Sequence, residues 1–186
     1  MKHRLLAGSI GLLLSAASLT AVAATDGVIE FNGLVTDVTC SVEGQDPGLG
    51  TVRKDVELGS IVASRLGAAG QRANATGFTI RVGAPGEASC TNGRKAMVAF
   101  DPASPAIDTA SGRLNIDGGD GTAGNVQIEV TQRDGTPINV YTDKSAPVEI
   151  VNNQAQVLLA AQYYSTGVAS QGKVASRVGF LVEYAE

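Results

Sequence analysis

Few side chains in this sequence could carry out chemistry. The two cysteines, Cys40 and Cys90, lie far apart, so they form no Cys-x-x-Cys redox motif, and two lone thiols make a poor zinc site. His3 is the only histidine, and it lies in a segment that we expect to be removed. Without it the chain has neither a Ser-His-Asp nor a Cys-His mechanism, and no imidazole that binds a metal. We therefore expect no enzyme activity, no metal site and no cofactor.

The N-terminal residues have the pattern of a cleaved secretory signal. A basic start precedes an apolar run at positions 5–14, and Ala-Val-Ala at 21–23 fits the small-x-small cleavage rule. A membrane anchor is the alternative, because no charge follows the basic start for about 20 residues, but small residues dilute this stretch. We predict a signal peptide at residues 1–23, with cleavage after Ala23 or Ala24.

Cleavage makes the remaining chain more acidic. It removes Lys2 and Arg4 and no acidic residue, so 12 of the 14 basic residues and all 18 acidic ones remain, a net charge of −6. Nucleic acids and anionic membranes bind basic surfaces, so we expect neither as a partner. Export also makes a structural disulfide between Cys40 and Cys90 the default expectation.

Composition and periodicity favour one β-rich domain. The 186 residues suffice for a real core, and 23 glycines, four phenylalanines and no tryptophan indicate many turns and an aliphatic interior. No segment keeps a clean helical period, and short alternating runs are separated by Gly and Pro, which predicts an antiparallel sandwich. The predicted internal strands lie near Val52–Leu58, Phe78–Val82, Met97–Phe100, Val126–Val130, Val148–Val151 and Ala155–Tyr164.

Four shorter patterns add local detail. Val126–Val130 alternates with polar residues, which predicts a half-buried strand, and Asp134-Gly135 turns it toward Ile138–Tyr141 as a hairpin. Ser60–Leu66 predicts one short helical turn with Ser60 as its N-cap. Asp117–Gly121 hints at a calcium loop, but it lacks the ligand spacing and the terminal Glu of an EF-hand, which favours a solvated turn.

Two strongly alternating segments lie near the ends of the sequence. Side chains of an extended strand point alternately to opposite faces, so each segment has an apolar row on one face. The first row is Ile29, Phe31, Gly33 and Val35, and the last is Val178, Phe180, Val182 and Tyr184. Two such strands invite pairing, either with each other or between molecules. On the pattern alone, an ordinary first strand packed within its own domain remains an alternative for the first segment.

Four features occur in order along the chain: the first strand with Gly33 in its apolar row, the pair Cys40 and Cys90, the run Ala161-Gln162-Tyr163-Tyr164-Ser165-Thr166-Gly167, and Gly172 twelve positions before Tyr184. Together they resemble the structural pilin subunits of the chaperone–usher pathway, close to the major subunit of type 1 fimbriae. The resemblance covers essentially the whole chain after the signal. One departure is that two residues, Ala185 and Glu186, follow Tyr184, whereas the family's aromatic residue is usually penultimate.

The resemblance implies an all-β fold, an incomplete immunoglobulin-like antiparallel β-sandwich that is completed by a donor strand from another subunit or from a chaperone. Residues 24–36 would be the donor-strand extension, and residues 37–186 the pilin domain. Gly33 would mark where the groove floor leaves no room for a side chain. The other residues with implied roles are Ile29, Phe31 and Val35, which enter groove pockets, and Gly172, Val178, Phe180, Val182 and Tyr184, which line the acceptor groove or serve chaperone recognition.

The resemblance also implies a function. The chain would be a structural subunit of a bacterial surface fimbrium that polymerises by donor-strand exchange and supports cell adhesion. Its partners would be other copies of itself or sibling pilins, a periplasmic chaperone and an outer-membrane usher, on a route through the periplasm to the cell surface. The alternative is a minor tip or adaptor pilin, or a small carbohydrate-binding adhesin. Tyr163 and Tyr164 could stack on a sugar, but on an apolar strand they more often serve the core.

Overall fold

The part of the chain that the structure describes folds into β-structure, with one short 3-10 helix. The computed structural model describes residues 40–46 and 52–186, so the predicted signal peptide and the predicted donor segment lie outside the described residues. Strands form where β-branched and aromatic residues alternate between turns. In chain order the described elements are a 3-10 helix, Ala63–Leu66, and the strands β1 Arg72–Gly83, β2 Lys95–Phe100, β3 Ile107–Asp108, β4 Arg113–Asn115, β5 Val126–Gln132, β6 Val148–Glu149, β7 Gln154–Ser165 and β8 Phe180–Ala185.

The strands pair into two antiparallel sheets that share one core. The five-stranded sheet has the order β1-β7-β5-β4-β3, and the three-stranded sheet has the order β6-β2-β8. Every pairing between these strands is antiparallel. Aliphatic side chains from both sheets meet in a single buried cluster, which confirms the predicted sandwich. The cluster includes Ile80, Val82, Val98, Ile128, Val130, Val157, Leu159 and Val182.

The longest strands, β1 and β7, set the length of the sandwich and define its two ends. Each has 12 residues, which span about 36–40 Å. We name one end the disulfide pole, formed by the loops 84–94 and 150–153, which are joined by a 3.0 Å hydrogen bond from the Gly93 N–H to the Ile150 carbonyl. We name the other the far pole, formed by 59–71 and 166–173, which are joined through the Ala169 N–H and the Leu66 carbonyl at 2.9 Å.

The strand β5 is buried on both faces, so the prediction of a half-buried strand at Val126–Val130 is wrong. It lies between β7 and β4 in the middle of the five-stranded sheet, and side chains of neighbouring strands cover its outer face. Its inner row is Val126, Ile128 and Val130, and its outer row, which is equally buried, is Gln127, Glu129 and Thr131.

Two further local predictions need correction. The helical turn predicted at Ser60–Leu66 is shorter, and its N-cap is Val62, with no side-chain hydrogen bond, rather than Ser60. The strand predicted at Val52–Leu58 is not formed: among the described residues this segment pairs with neither sheet. Propensity favours extension there, but a strand also needs a partner for its backbone groups. This missing partner matters for the function.

The turn at Asp134-Gly135 forms as predicted. The Gly135 N–H donates to the Gln132 carbonyl at 3.0 Å, which closes the turn after β5. The return segment pairs with β5 as far as Ile138, whose N–H donates to the Val130 carbonyl at 2.9 Å, but it makes only one bridge, between Thr131 and Pro137, so the predicted hairpin is shorter than Ile138–Tyr141. This segment instead crosses to the other sheet, where Lys144 bridges to Ala99 in β2.

Candidate functional site: the edge strand and its neighbours

The predicted disulfide between Cys40 and Cys90 is present and fully buried. Its sulfur atoms are 2.07 Å apart and its Cα atoms 4.4 Å apart. The bond fixes the first described residues to the loop that follows β1, and Val42 continues along β1 through a bridge to Val82. Cys40 therefore lies at the disulfide pole.

The last strand, β8, lies at the edge of the three-stranded sheet. It pairs with β2 from Phe180 to Ala185, and no other described strand pairs with its second edge. Burial alternates from Val174 to Val182, in the first half of β8 and the residues that precede it, so one row faces the core while Leu181 on the other face is 37% exposed. The inward row contains the four apolar residues predicted to share a face, Val178, Phe180, Val182 and Tyr184, of which only Val182 is fully buried.

A second unpaired edge is formed by Val52–Leu58. Its residues alternate between half-buried and exposed, which is the burial pattern of a strand. Val56 and Leu58 pack against the core, yet the segment makes no backbone–backbone hydrogen bond with another described residue. Side chains hold it in place: Lys54 pairs with Glu43, and the Asn74 side-chain amide donates to the Leu58 carbonyl at 3.1 Å.

The two unpaired edges run in opposite directions between the same poles. Lys54 pairs with Glu43 at 3.3 Å, beside the C-terminal part of β1, and the Tyr163 hydroxyl donates to the Gly59 carbonyl at 2.7 Å, near the C-terminal end of β7. The first edge therefore runs from the disulfide pole toward the far pole. The strand β8 follows the far-pole segment 166–173 and ends beside the start of β2 at the disulfide pole.

Tyr184 closes the row at the disulfide pole. Burial raises the pKa of its phenol, and a hydrogen bond from the Cys40 backbone partly opposes this rise. The residues after Tyr184, where the sequence departs from the family pattern, lie against the start of β2. Lys95 Nζ donates to the Glu186 carbonyl at 2.7 Å, and Arg94 Nη1 lies 3.4 Å from a Glu186 carboxylate oxygen.

Gly172 lies at the far pole, outside the row of apolar residues with which the sequence grouped it. A Cβ on Gly172 would stand 2.2 Å from the Ala123 backbone nitrogen and 2.4 Å from the Thr122 carbonyl carbon, so no side chain fits. This close backbone contact gives the glycine a packing role before β8. Its predicted role in chaperone recognition stays a prediction.

Sequence reasoning missed a buried charged cluster on the outer face of the five-stranded sheet. The side chain of Glu129 in β5 is 1% exposed and binds two arginines: Arg72 Nε at 2.6 Å and Arg113 Nε at 3.0 Å. Gln162 donates a further hydrogen bond at 2.9 Å, and the Arg113 guanidinium lies 3.5 Å from the centre of the Tyr164 ring. The only sequence signal is a glutamate in the polar row of an alternating strand.

The cluster stabilises the negative charge of Glu129, but both carboxylate oxygens already accept hydrogen bonds from protein side chains and neither is left for a ligand. Burial raises the pKa of the Glu129 carboxyl, while hydrogen bonds from Arg72, Arg113 and Gln162 more than offset this, so its pKa is lowered overall. The carboxylate oxygens are shared among these three donors, which come from β1, β4 and β7. The cluster therefore links four neighbouring strands. This arrangement does not indicate that the protein acts on a substrate.

Comparisons with known proteins agree over most of the chain. The family model for fimbrial proteins matches residues 29–185. The F17 fimbrial protein of Escherichia coli is 34% identical over 178 residues, which cover 92% of this chain and 94% of that protein. The major fimbrial subunit SMF-1 of Stenotrophomonas maltophilia is 32% identical over 185 residues, which cover 92% of this chain and 99% of that protein.

Solved structures show the same fold at lower identity. A chaperone–usher pilus subunit has a TM-score of 0.58 at 17% identity, covering 90% of this chain and all of that one. The P pilus rod subunit PapA has a TM-score of 0.56 at 14% identity, covering 80% of this chain and all of that one. The predicted incomplete immunoglobulin-like sandwich is thus confirmed. Among the described residues no helix has the length and apolarity needed to span a membrane. The chain belongs to the fimbrial protein family, whose members are structural subunits of cell-surface fimbriae rather than enzymes.

Proposed function

We propose that copies of this chain polymerise into the shaft of a fimbrium by donating residues 24–36 to a neighbouring copy. The observation that carries the proposal is the pair of unpaired edges, Val52–Leu58 and the run that ends in β8. An extended strand between them would satisfy backbone groups on both sides and would cover the half-buried apolar rows. The alternating segment with Ile29, Phe31 and Val35 has the apolar row that such a position requires.

The positions of the poles set the direction of the donated strand. Only residues 37–39 separate the donor segment from Cys40, so the disulfide pole of the donating copy lies within roughly 14 Å of the point where the donor leaves its neighbour. Suppose instead that each donor left its neighbour at the neighbour's disulfide pole. The disulfide poles of three successive copies would then meet at one place, which would leave no room for a further copy. The donor therefore leaves at the far pole, which makes it antiparallel to β8.

The unfilled edges also explain why partners are needed before assembly. An exposed sheet edge beside an apolar trough is prone to aggregation. A periplasmic chaperone that lends a strand would protect it, and an outer-membrane usher would exchange that strand for the donor of the next copy. A place along the shaft, rather than at the tip, is supported by the name of the relative SMF-1, a major fimbrial subunit. Immunogold electron microscopy of fimbriated cells distinguishes label along the shaft from label at the tip.

The test of strand donation uses two neighbouring positions of the donor. Gly33 lies in the apolar row, so Gly33→Leu places a side chain against the neighbour's groove floor. We expect a normal amount of chaperone-bound subunit and no fibres. Asn32→Leu is the matched control, because Asn32 points to the other face of the same strand, and it should assemble. Fibres of ordinary length from Gly33→Leu would contradict the proposed register or the proposed donor.

A further inference from the structure

We propose that Asn74 and Tyr163 are positioning residues for strand acceptance: their side chains hold the unpaired edge Val52–Leu58 at the distance from β8 that a donated strand requires. We name these two side chains the far-pole tether. The inference rests on the proposed strand donation and deepens it, because it assigns to the accepting copy two residues that lie in neither of the edges the donor would join.

A groove that accepts one strand needs two edges at a fixed separation. Neighbouring strands lie about 4.7–4.9 Å apart, so the two edges must stand about 9.5 Å apart. One edge is fixed by the ladder between β8 and β2, which runs from Phe180 to Ala185. The other edge, Val52–Leu58, forms no such ladder with the rest of the described chain. Its position must therefore be set by side chains.

Tyr163 provides the buried half of the tether. It is 9% exposed and belongs to the core cluster, and its hydroxyl donates to the Gly59 carbonyl at 2.7 Å. Burial, and to a smaller extent the charge of Glu57, raises the pKa of this phenol, so the hydroxyl remains a donor at neutral pH. Because the ring is fixed by packing, the hydrogen bond fixes the backbone one residue beyond Leu58.

Asn74 provides the second half of the tether, and β1 is irregular at this residue. The register of β1 against β7 shifts between Ala73 and Thr76, and Asn74 has a φ of +52°, which asparagine tolerates better than most residues. Such a bulge changes the direction of a side chain. Here the side-chain amide donates to the Leu58 carbonyl at 3.1 Å and to the Ser60 carbonyl at 3.5 Å. The bulge thus directs a donor toward the end of the unpaired edge.

The opposite end of the same edge is held by an ion pair. Lys54 lies 3.3 Å from Glu43, and the Glu43 carboxylate also accepts the Arg81 N–H at 2.8 Å, which connects the pair to β1. Side chains therefore hold the edge at both ends in place of a backbone ladder. Most backbone groups of Val52–Leu58 then stay available to the backbone of a donated strand.

Hydrogen–deuterium exchange, measured residue by residue in assembled fibres of the full chain, tests the tether. Tyr163→Phe removes the hydroxyl and keeps the ring in the core. Loss of one neutral hydrogen bond should make the amides of Val52–Leu58, and the donor amides that face them, exchange roughly fivefold faster. The donor amides that face β8, and the amides of β1 and β7, should exchange as in native fibres. A general loss of stability would instead accelerate exchange in every strand.

The chain offers a matched control for each half of the tether. Tyr164→Phe removes the neighbouring hydroxyl, which makes no hydrogen bond within the described part of the chain. Asn74→Gly removes the side-chain donor and keeps the backbone conformation accessible. Asn152→Gly is its control, because Asn152 has a φ of +53° in an exposed turn before β7. Asn74→Gly should behave like Tyr163→Phe, and both controls should behave like the native chain.

Unchanged exchange along Val52–Leu58 in either tether variant, or equal acceleration in all strands, would overturn the tether. Absence of fibres from either variant would overturn it as well, because loss of one side-chain donor loosens the edge without abolishing strand acceptance. The native fibres test the proposed function separately. Residues 25–35 should be protected in them, and rapid exchange there would overturn strand donation and the tether with it.

Discussion

The two sheets of the sandwich differ in how much of their own pairing the chain supplies. In the five-stranded sheet, β1 and β7 pair along their whole length, and β5 is buried on both faces. In the three-stranded sheet, β8 has one described neighbour, and the segment Val52–Leu58 joins neither sheet among the described residues. One sheet is therefore specified by contacts within the molecule, and the other leaves a place for a strand from elsewhere. Under the proposed strand donation, the five-stranded sheet would mainly stabilise the body and the three-stranded sheet would take part in assembly.

Binding of a donor strand beside the incomplete three-stranded sheet should have the largest effect on stability. Three large side chains of the donor, Ile29, Phe31 and Val35, would be buried at about 1.5–3 kcal/mol each, or roughly 5–9 kcal/mol before ordering costs. A chain that lacks residues 1–36 should refold poorly alone and become a stable monomer when a peptide of residues 25–38 is present. Thermal melts with the peptide, and with a Phe31→Asp peptide as the control, measure this. Equal, cooperative melting with and without the peptide would mean that the sandwich is complete by itself.

Loss of the disulfide should have the second largest effect on stability, because the bond fixes the first described residues to the loop that follows β1 of the five-stranded sheet. Replacing both Cys40 and Cys90 with serine should lower the free energy of unfolding by about 4 kcal/mol on the chain-entropy model. Urea unfolding of the peptide-filled monomer measures the loss, and the exposed neighbour Thr91→Ser serves as the control. If the cysteine variant unfolds at the same urea concentration as the native chain, the bond contributes nothing to the stability of the body.

Gly172→Ala separates packing from recognition at the far pole. The new Cβ would overlap the Ala123 backbone, and such overpacking costs typically about 1–3 kcal/mol. Gly118→Ala is the control, because a Cβ there meets no atom within 4 Å. We expect the Gly172 variant, and not the control, to be less stable in urea even with the donor peptide bound. Unchanged stability together with lost chaperone binding would assign the glycine to recognition instead.

The smallest expected effect concerns the complete half and depends on pH. The pKa of Glu129 is lowered in the folded protein, so its stabilising contribution is present above the ordinary carboxyl range and is lost as the pH falls through the folded-state pKa. Glu129→Gln keeps the shape but turns one of the two acceptor oxygens into an NH2 group that faces N–H donors, so the hydrogen bonds on that side are lost, at a cost of at least about 1 kcal/mol at pH 7. In urea unfolding at neutral and acidic pH, the free energy of unfolding should change less with pH for the variant than for the native chain. An identical change in both would mean that Glu129 does not contribute to the pH dependence of stability.

Local pattern was sufficient for much of the fold. The cysteine pair in an exported chain predicted its bond, and the inward row of β7 followed from alternation between Val157 and Tyr163. The short strands β3 and β4 have two and three residues, which is too few for a period to be read, and they were not predicted. The edge position of β8 came from the family resemblance, because alternation is the same in an edge strand and in a central one.

The buried cluster around Glu129 shows why the remaining features could not be predicted from the sequence. Glu129 is ionised in the interior only because Arg72 and Arg113 reach it, and these arginines lie 57 and 16 positions away in sequence. Their approach depends on the registers of β1 and β4, which local alternation does not specify. The close contact at Gly172 depends in the same way on two loops meeting at the far pole. In both cases the missing information was three-dimensional register.

The position of the Cys40–Cys90 bond also has a mechanical consequence. In a fibre held by donated strands, tension enters each body through the chain that precedes Cys40. The bond passes this tension directly to the loop after β1, so residues 41–89, about 160–180 Å of extended chain, cannot be drawn out. The force then acts along the strands β1 and β7. Their hydrogen bonds lie perpendicular to this force, so they resist shear together instead of breaking one after another. The covalent link thus limits how far each body lengthens when an attached cell is dragged by flow.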